Sequence, residues 1–425
     1  MEYFLGIDFG TTGVRLIIIN NEKKIIDTIK TKIPSPTLEN NQVYQDPNIW
    51  WFSLLKSFNY LKKKNFNFSN IKKICVDGTS GTVLISDLNG EPLTNALMYN
   101  DASCVKESKI IEKISNNNPL FSSPNNALAR SLSLLNDNKL NSNIKILHQA
   151  DWIIGKLLGE YEYSDNNNSL KLGYDSENNK WYDWIDKLPY NKKIFPEIKN
   201  PGNELGNLSQ TLVDDFGFNK QCIVSAGTTD GIASFLSTGA SKIGQSVTAI
   251  GTTMVIKSIT KKPLFNSEFG IYSHKIGNLW LAGGASNVGG QILIHYFKNE
   301  IEILSKKINT EKLTGYKYYP LLKPGERFPI NDVNFKPILT PKPNDKNIFF
   351  QAILEGITFV EKSCYEKLAD LGGCYPNLIY SVGGGAINKK WNIIRNKILN
   401  TNIINPKNNE AAYGTALLAK GIKFD

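Results

Sequence analysis

The sequence lacks several features that would point to particular classes of protein. Its 425 residues include only three histidines and five cysteines, and no two cysteines form a Cys-x-x-Cys pair or another metal-binding spacing. An odd, scattered set of cysteines argues against a disulfide framework and is typical of reduced thiols. No apolar run approaches the ~18 residues of a membrane span, and no secretory signal pattern opens the chain. We therefore expect a cytoplasmic protein without a membrane span.

Positive charge is abundant but it is not concentrated. The formal net charge of +10 would fit a nucleic-acid partner if the basic residues formed an arm or alternated with aromatic residues. The lysines instead occur as scattered pairs and triplets, such as Lys62-Lys63-Lys64 and Lys389-Lys390. We interpret them as a solvated surface and expect no nucleic-acid partner. The chain length predicts two or three domains of about 100–200 residues.

The order of predicted elements differs from that of a dinucleotide-binding fold. Apolar runs at the start predict an antiparallel hairpin, and a helix follows at PNIWWFSLLKSFNYLKK before the next strand, IKKICVDG. A dinucleotide fold would alternate strand and helix from the beginning. Further along, QADWIIGKLLG predicts a helix. The stretch SDNNNSLKLGYDSENNKWYDW is polar and predicts a loop-rich segment that carries binding residues.

The first predicted strand ends in a glycine-rich turn. In GIDFGTTGVRLIII, an apolar run stops at Asp8, and the hydroxyls of Thr11 and Thr12 lie between two glycines. Such a turn can aim N–H and O–H donors at a phosphate, and a carboxylate beside them then requires a cation such as Mg²⁺. The alternative is that these residues only stabilise a hairpin.

A second segment, QSVTAIGTTMVIKSI, repeats this strand–turn–strand pattern around Gly251-Thr252-Thr253. An internal duplication predicts two related domains, each with one hydroxyl-rich hairpin, and two such loops can clamp one polyphosphate. Neither turn matches the P-loop or the Rossmann motif.

Two later strand ends carry further candidates. Asp230, in SAGTTDGIASFLSTGA, begins a predicted helix, where it is either a helix cap or the general base for a phosphoryl acceptor hydroxyl. In SVGGGAINKKW, the bare backbone of Gly384 and Gly385 can lie against a planar base, although the glycines also suit a tight connection. Asn388 and Trp391, on the next helix, are predicted to bracket an adenine.

Taken together, these motifs resemble the FGGY carbohydrate kinase family of the actin-like ATPase superfamily. The resemblance implies an α/β protein in which two ribonuclease-H-like domains flank a catalytic cleft. It places a sugar-binding domain at 1–238 and an ATP-binding domain at 239–425, with a C-terminal helix at about 410–425 predicted to pack back on the first domain. The matching segments, in family order, are GIDFGTTGVR, DGTSGT, AGTTDGIASFLSTGA, IGTTMVI, GGASNVGG, SVGGGAINKKW and EAAYGTALLA.

The same resemblance implies a role for each candidate residue. Asp230 is the catalytic base and contacts the sugar together with Asp8 and Ser80, and Asp8 also holds Mg²⁺. The partners are ATP and a small sugar, and the protein is expected to be a monomer or a homodimer. The residues implied to bind ATP and its phosphates are Thr11, Thr12, Arg15, Gly251, Thr252, Gly384, Gly385, Asn388 and Trp391.

The sugar-contacting loop departs from two patterns of the family. Glycerol kinases carry Arg-Glu there and xylulokinases Met-His-Gly, whereas this chain has Asp77-Gly78-Thr79-Ser80-Gly81. VDGTSGTVL, YSHKIGNLWLAGGASN and KPGERFPI resemble a short, xylulokinase-like branch of cyanobacteria and plants that is associated with D-ribulose. This implies an ATP-dependent kinase for the 5-hydroxyl of a ketopentose, D-ribulose first and D-xylulose second. A partner-directed actin-like ATPase and a non-catalytic sensor remain as alternatives.

Overall fold

The structure, a computed structural model, describes residues 1–116, 118, 120–140 and 143–424. The chain divides into two compact units. Unit 1 comprises Met1–Gly239, His274–Gly277 and Asn408–Lys423, and unit 2 comprises Ala240–Ser273 and Asn278–Lys407 together with Phe424. None of the helices in the described part of the chain is long and apolar enough to cross a membrane.

Strands and helices occur throughout both units. The strands are β1 (Tyr3–Gly10), β2 (Gly13–Asn20), β3 (Ile25–Lys32), β4 (Thr37–Glu39), β5 (Gln42–Gln45), β6 (Ile71–Gly78), β7 (Val83–Asp87), β8 (Ala96–Leu97), β9 (Ile144–His148), β10 (Tyr163–Asp165), β11 (Tyr174–Asp175), β12 (Lys180–Trp181), β13 (Glu197–Lys199), β14 (Glu204–Asn207), β15 (Ile223–Thr229), β16 (Gln245–Ile250), β17 (Met254–Thr260), β18 (Tyr272–Ile276), β19 (Leu279–Ser286), β20 (Leu378–Val382) and β21 (Asn402–Ile404). The α-helices are α1 (Pro47–Lys63), α2 (Val105–Ile114), α3 (Ala127–Asp137), α4 (Gln149–Leu158), α5 (Asn166–Ser169), α6 (Gln210–Phe216), α7 (Asp230–Ser237), α8 (Gln291–Phe297), α9 (Ile301–Lys306), α10 (Lys346–Asp370), α11 (Lys389–Leu399) and α12 (Ala411–Lys420). Short 3₁₀ helices lie at Phe68–Asn70, Leu170–Leu172, Asp183–Lys187, Lys192–Ile194, Lys298–Glu300 and Gly384–Ile387.

The main sheet of unit 1 has the strand order β14-β15-β6-β1-β2-β3. β1, β2 and β3 form an antiparallel meander, and β6 and β15 run parallel to β1. The interior residues of β1 are all buried, as expected for a strand covered on both faces. Helix α1, capped by Asp46 with a proline at its first position, supplies Trp50, which packs edge-on against Trp152 of α4 in the core.

The main sheet of unit 2 repeats this topology. Its order is β18-β19-β17-β16-β20-β21. β19, β17 and β16 are antiparallel neighbours, and β20 and β21 continue the sheet parallel to β16. The long helix α10 and helix α11 pack together on the core of this unit. The strand order thus confirms a mixed α/β chain with the same core built twice.

The polar stretch that follows α4 is not the loop that its composition predicts. It forms β10, α5, a 3₁₀ helix and the β11–β12 pair, and its asparagines at 166–168 are buried. Asp165 caps α5 by accepting the N–H groups of Asn167 and Asn168, and the Asn168 amide also donates to its carboxylate at 2.7 Å. The loop prediction was wrong because buried hydrogen bonds within the unit, such as those from Asn168 to Asp165 and from Asn167 to Thr228, order this stretch, which composition does not reveal.

Helix α12 packs against β1 and α7 within unit 1. A Cβ on Gly6 would lie 2.1 Å from the carbonyl oxygen of Ala412, and a Cβ on Gly414 would lie 1.9 Å from that of Ala233. Glycine at both positions therefore permits a contact that any side chain would block. The close approach also brings the next residue of α12, Thr415, to the end of β6.

Candidate active site

Three aspartates lie where neighbouring parallel strands of unit 1 end. β1, β6 and β15 are adjacent and parallel. Asp8 in β1 lies directly opposite Asp77 in β6, and Asp230 is the first residue of α7, which follows β15 at once. The carboxyl ends of parallel strands are a usual position for ligand sites in α/β proteins. We call Asp8, Asp77 and Asp230 the acidic cluster.

The fold holds two members of the acidic cluster away from water. Asp8 is 4% exposed and Asp77 is 0% exposed. Burial raises the pKa of Asp77 well above its usual range, and the carboxylates of Asp8 and Asp230 raise it further. Burial also raises the pKa of Asp8, although Arg15, whose Nη1 lies 3.1 Å from Asp8 Oδ2, opposes this change. Carboxyl groups perturbed in this way are concentrated at functional sites.

Asp77 is a site residue that the sequence interpretation missed. Its signal was present, because Asp77 ends an apolar strand just as Asp8 does. The hydroxyl of Thr415 donates to Asp77 Oδ2, whereas Oδ1 is buried without a partner among the residues that the structure describes. A buried acceptor of this kind is suited to a ligand hydroxyl or a water molecule.

Asp230 begins α7 but it is not the cap of the helix. The N-cap residue is Thr229, and Asp230 occupies the next position. The half-buried carboxylate of Asp230 accepts the N–H of Gly231 at 2.6 Å. Asp230 also lies beside Asp8 and Asp77, and a residue that only capped a helix would not need this position.

Ser80 lies in a turn whose flanking residues, Thr79 and Gly81, are both fixed by hydrogen bonds to side chains. The N–H and the hydroxyl of Thr79 both donate to Gln149 Oε1 at 2.9 Å, and Arg130 Nη2 donates to the carbonyl oxygen of Gly81 at 2.5 Å. Ser80 itself is half-buried. Three buried polar atoms in or next to this turn lack a partner among the described residues: Asp77 Oδ1, Gln149 Nε2 and Arg130 Nε. Buried polar groups are normally paired, so this environment suits a ligand rich in hydroxyl groups.

Lys171 is a second residue that the sequence interpretation did not identify. It lies in the 3₁₀ helix Leu170–Leu172, and its Cδ is 3.6 Å from the position that a Cβ on Gly81 would take. Burial and the charge of Arg130 lower the pKa of Lys171, whereas Asp230 raises it, so the ammonium is within electrostatic range of that carboxylate. Its Nζ makes no hydrogen bond within the described part of the chain. Lys171 belongs to the polar stretch, and the sequence does not distinguish it from the many surface lysines.

The two Gly-Thr-Thr hairpins share a topology but differ in turn length. β1 and β2 leave a two-residue turn, Thr11-Thr12, whereas β16 and β17 leave the three residues 251–253. The hydroxyl-bearing residue Thr12 is exposed and Thr11 is half-buried. Arg15, which faces Asp8 across the first hairpin, also lies 3.5 Å from Glu410, so two carboxylates engage its guanidinium.

A pocket of about 860 Å³ opens in unit 2 beside the second hairpin. This volume is within the range of small-molecule and cofactor sites. Its walls combine apolar side chains, including Ile294 and Ile387, with basic ones, including Lys306 and Lys390. The pocket brings together all six residues of this unit that the sequence predicted for ATP: Gly251, Thr252, Gly384, Gly385, Asn388 and Trp391.

The three consecutive glycines at 383–385, of which Gly384 and Gly385 line this pocket, have different roles. Gly383 adopts a φ of +86°, and Gly385 has Ile250 and Trp391 atoms 2.8–2.9 Å from its Cβ position, so both are required by the fold. Gly384 has neither constraint, because nothing lies within 4 Å of its Cβ position and its φ is not positive. Its missing side chain leaves open space in the pocket.

Asn388 and Trp391 line the pocket and also make hydrogen bonds that stabilise unit 2. Asn388 caps α11 by accepting the N–H of Trp391 at 3.1 Å, and its amide donates to the hydroxyl of Ser305. Trp391 is 1% exposed, and its indole N–H donates to the carbonyl oxygen of Leu354 and the hydroxyl of Thr358. Trp391 therefore forms the floor of the pocket beneath Gly385, where most of its ring contacts core residues.

Replacing Gly384 by leucine is expected to weaken nucleotide binding without unfolding unit 2. The side chain would enter the pocket, and a loss of about 1.4 kcal/mol already corresponds to a tenfold weaker affinity. We expect a dissociation constant for ADP raised about tenfold or more by calorimetry, with an unchanged melting temperature. Gly385→Ala is the contrasting control, because its Cβ would clash and should lower the melting temperature. Normal ADP affinity of Gly384→Leu would place the nucleotide elsewhere.

The residues of unit 1 fit a Mg²⁺ ion that phosphates and water would largely coordinate. Within the described residues, no three or more His, Cys, Asp or Glu side chains are grouped as a complete metal site. Mg²⁺ in kinases usually needs only one or two carboxylates and takes its other ligands from substrate phosphates and water. Asp8, a buried carboxylate at a strand end, matches that requirement, as does the partnerless oxygen of Asp77.

Both parts of the chain match models of one protein family. Residues 3–237 match the N-terminal domain, and residues 247–420 the C-terminal domain, of the FGGY family of carbohydrate kinases. The chain belongs to this family. It is thus an ATP-dependent sugar kinase by family, which the resemblance of the motifs predicted.

Individual relatives of this FGGY kinase extend over almost the whole chain. A xylulose kinase of Staphylococcus xylosus is 25% identical over 99% of this chain and 90% of that protein. A solved structure of a xyloylose kinase from Brucella ovis superposes with a TM-score of 0.86 at 21% identity, covering 99% of this chain and 91% of that one. Plasmodium falciparum glycerol kinase with ADP gives 0.84 at 20% identity, with 99% and 89% covered. These structures confirm the predicted actin-like ATPase fold.

Proposed function

We propose that this FGGY kinase transfers the γ-phosphoryl group of ATP to a hydroxyl of a ketopentose, with D-xylulose as the first candidate. The observation that carries the proposal is the acidic cluster beside the Ser80 turn, where buried polar atoms of Asp77, Gln149 and Arg130 lack protein partners among the described residues. A neutral sugar offers both donors and acceptors to such atoms. The pocket of unit 2 supports ATP as the phosphoryl donor.

In the proposed reaction, Asp230 accepts the proton of the attacking hydroxyl as its oxygen bonds to the γ-phosphorus. The bond from that phosphorus to the β,γ-bridging oxygen breaks, and ADP leaves. The Ser80 turn and Lys171 orient the sugar, and the donors of the Gly-Thr-Thr hairpins stabilise charge on the phosphates. When bound near Asp8, Mg²⁺ would neutralise part of the phosphate charge.

Two observations favour different ketopentoses. Two of the relatives named above favour D-xylulose, because the Staphylococcus xylosus protein, which aligns with 99% of the chain, is a xylulose kinase and the Brucella ovis structure is that of a xyloylose kinase. The loop Asp77-Gly78-Thr79-Ser80-Gly81 lacks the Met-His-Gly of xylulokinases, and the resemblance of its segment VDGTSGTVL to the branch associated with D-ribulose supports D-ribulose as the second candidate. The two sugars differ in the configuration of one carbon, so a few contacts in this loop can decide between them.

An ATP-coupled assay across pentuloses, pentitols, hexoses and glycerol tests the proposal. We expect the highest kcat/KM with a ketopentose, and the ratio for D-xylulose against D-ribulose separates the two candidates. A clear preference for glycerol or a hexose would contradict the proposed substrate class. ATP hydrolysis that no sugar stimulates would instead support an actin-like ATPase, and binding without turnover would indicate a sensor.

Lys171→Met is expected to raise the KM for the sugar while leaving the KM for ATP unchanged. Hydrogen bonds to charged groups contribute about 1.5–3 kcal/mol, which corresponds to roughly ten- to a hundredfold. Steady-state kinetics with each substrate varied in turn measures both constants. Lys187→Met, which changes an exposed lysine of unit 1, is the control. An equal rise in both KM values would argue against contact with the sugar.

A further inference from the structure

Glu326 is a buried carboxylate that the reaction described above does not use. It is 2% exposed and belongs to none of the ion pairs among the described residues. Its charge is instead met by N–H and O–H donors. Oε1 accepts the N–H groups of Asn287 at 2.7 Å and of Arg327 at 2.9 Å, and Oε2 accepts the hydroxyls of Ser286 at 2.7 Å and Tyr319 at 2.9 Å. Burying a carboxylate costs free energy. The buried position of Glu326 therefore suggests that its hydrogen bonds have a structural or functional role.

Two of these donors belong to the turn that follows β19, which we call the 286–290 turn. Ser286 is the last residue of β19, and its hydroxyl oxygen also accepts the N–H of Val288 at 3.0 Å. Glu326 therefore holds the beginning of the turn through Ser286 and Asn287, and the side-chain amide of Asn287 donates to the carbonyl oxygen of Gly325 at 3.0 Å. The turn is fixed from the Glu326 side at three points.

The other end of the 286–290 turn lies directly on the second hairpin. The N–H of Gly290 donates to the carbonyl oxygen of Gly251 at 2.7 Å, and that of Gln291 donates to the carbonyl oxygen of Thr252 at 3.3 Å. A Cβ on Gly289 would lie 2.5 Å from the Thr252 carbonyl oxygen. The backbone of the turn thus contacts the peptide groups of Gly251 and Thr252 directly and fixes their orientation.

We infer that Glu326 is a positioning residue for the nucleotide, acting through the 286–290 turn on Gly251 and Thr252. The inference rests on the proposed function, in which this hairpin contacts ATP phosphates. A hairpin serves as a phosphate loop only when its N–H and O–H donors already point toward the ligand, because ordering them at binding costs affinity. The carboxylate of Glu326 holds these donors in place through the 286–290 turn and does not itself contact the nucleotide.

Glu326→Ala and Glu326→Gln test the inference as a pair. Alanine removes the four hydrogen bonds named above and a longer one at 3.5 Å from the N–H of Phe328. We expect the dissociation constant for ADP to rise between about threefold and thirtyfold, the range of coupling through such networks. Glutamine should restore most of the affinity, because its carbonyl oxygen accepts the two N–H groups while its amide donates to the two hydroxyls. Calorimetry with ADP alone is the readout, and the KM for the sugar should not change.

Glu355 provides a matched control for the loss of a buried carboxylate. It is 0% exposed in the same unit and accepts the N–H and hydroxyl of Thr314 and the amide of Gln351, none of which lies in the hairpin or the turn. Glu355→Ala should lower the melting temperature as Glu326→Ala does but leave the ADP affinity near normal. An equal loss of affinity in both variants at equal destabilisation would overturn the inference.

Ser286→Ala keeps the test decisive if Glu326→Ala does not fold. It removes only the hydroxyl that joins Glu326 to the N–H of Val288, and we expect a smaller weakening of ADP binding in the same direction. Unchanged affinity in this variant would overturn the inference. If the unaltered protein binds no adenine nucleotide, the proposed function fails, whereas normal binding by the protein and by every Glu326 and Ser286 variant contradicts the positioning role alone.

Discussion

Replacing Asp230 by asparagine is expected to lower kcat for sugar phosphorylation by about 10²–10⁴-fold, the usual contribution of a general base. The amide keeps the volume and an oxygen acceptor for the Gly231 N–H, but it cannot take the proton of the attacking hydroxyl. Because the proton transfer belongs to the transition state, kcat should fall much more than the KM values change. Steady-state kinetics with the best sugar of the substrate screen, together with thermal unfolding, measures both effects.

Asp46→Asn is the control that separates base chemistry from helix capping. Asp46 is a true N-cap, whose carboxylate accepts the N–H of Asn48 at the start of α1 in the same unit. We expect this variant to retain full activity. If folded Asp230→Asn turned over sugar at a rate close to normal, Asp230 would have no role as the base.

Replacing Asp8 by asparagine is the second change with a large expected effect. The introduced amide would keep the shape of the site and an acceptor for Arg15, but the negative charge proposed to hold Mg²⁺ would be lost. Removing one such electrostatic contribution to phosphoryl transfer should lower kcat/KM for Mg-ATP on the order of 10²-fold. The Mg²⁺ concentration for half-maximal rate should rise, because the remaining ligands are phosphates and water.

Asp27→Asn tests whether any ion-paired aspartate of the sheet would have the same effect. Asp27 lies on β3, within the same sheet, and pairs with Lys64 at 3.4 Å. Its loss should change neither the Mg²⁺ dependence nor the activity. An Asp8 variant with an unaltered Mg²⁺ requirement but a weakened affinity for sugar would assign Asp8 to the acceptor instead of the metal.

Local patterns predicted the strand ends well because they depend on short stretches of chain. An apolar run that stops at Asp8 before glycine and threonine needs only strand alternation and turn chemistry to be interpreted, and the same holds for the second Gly-Thr-Thr segment. The six pocket residues of unit 2 were also chosen from sequence alone, and the structure brings all six together. The surroundings of single side chains could not be predicted in the same way: Trp391 is buried in the core of unit 2, and Asp77 joins the acidic cluster.

By itself, the sequence determined the family, the mixed α/β class, the duplicated hairpins and the strand-end aspartates Asp8 and Asp230, because repeated glycine, hydroxyl and apolar patterns are local and ordered along the chain. Only the tertiary structure decided that Asp77 faces Asp8, that Lys171 lies beside Gly81, and that Glu326 supports the second hairpin. These relations join residues far apart in sequence. They depend on which strands become neighbours and which polar groups are buried together, and long-range packing decides both.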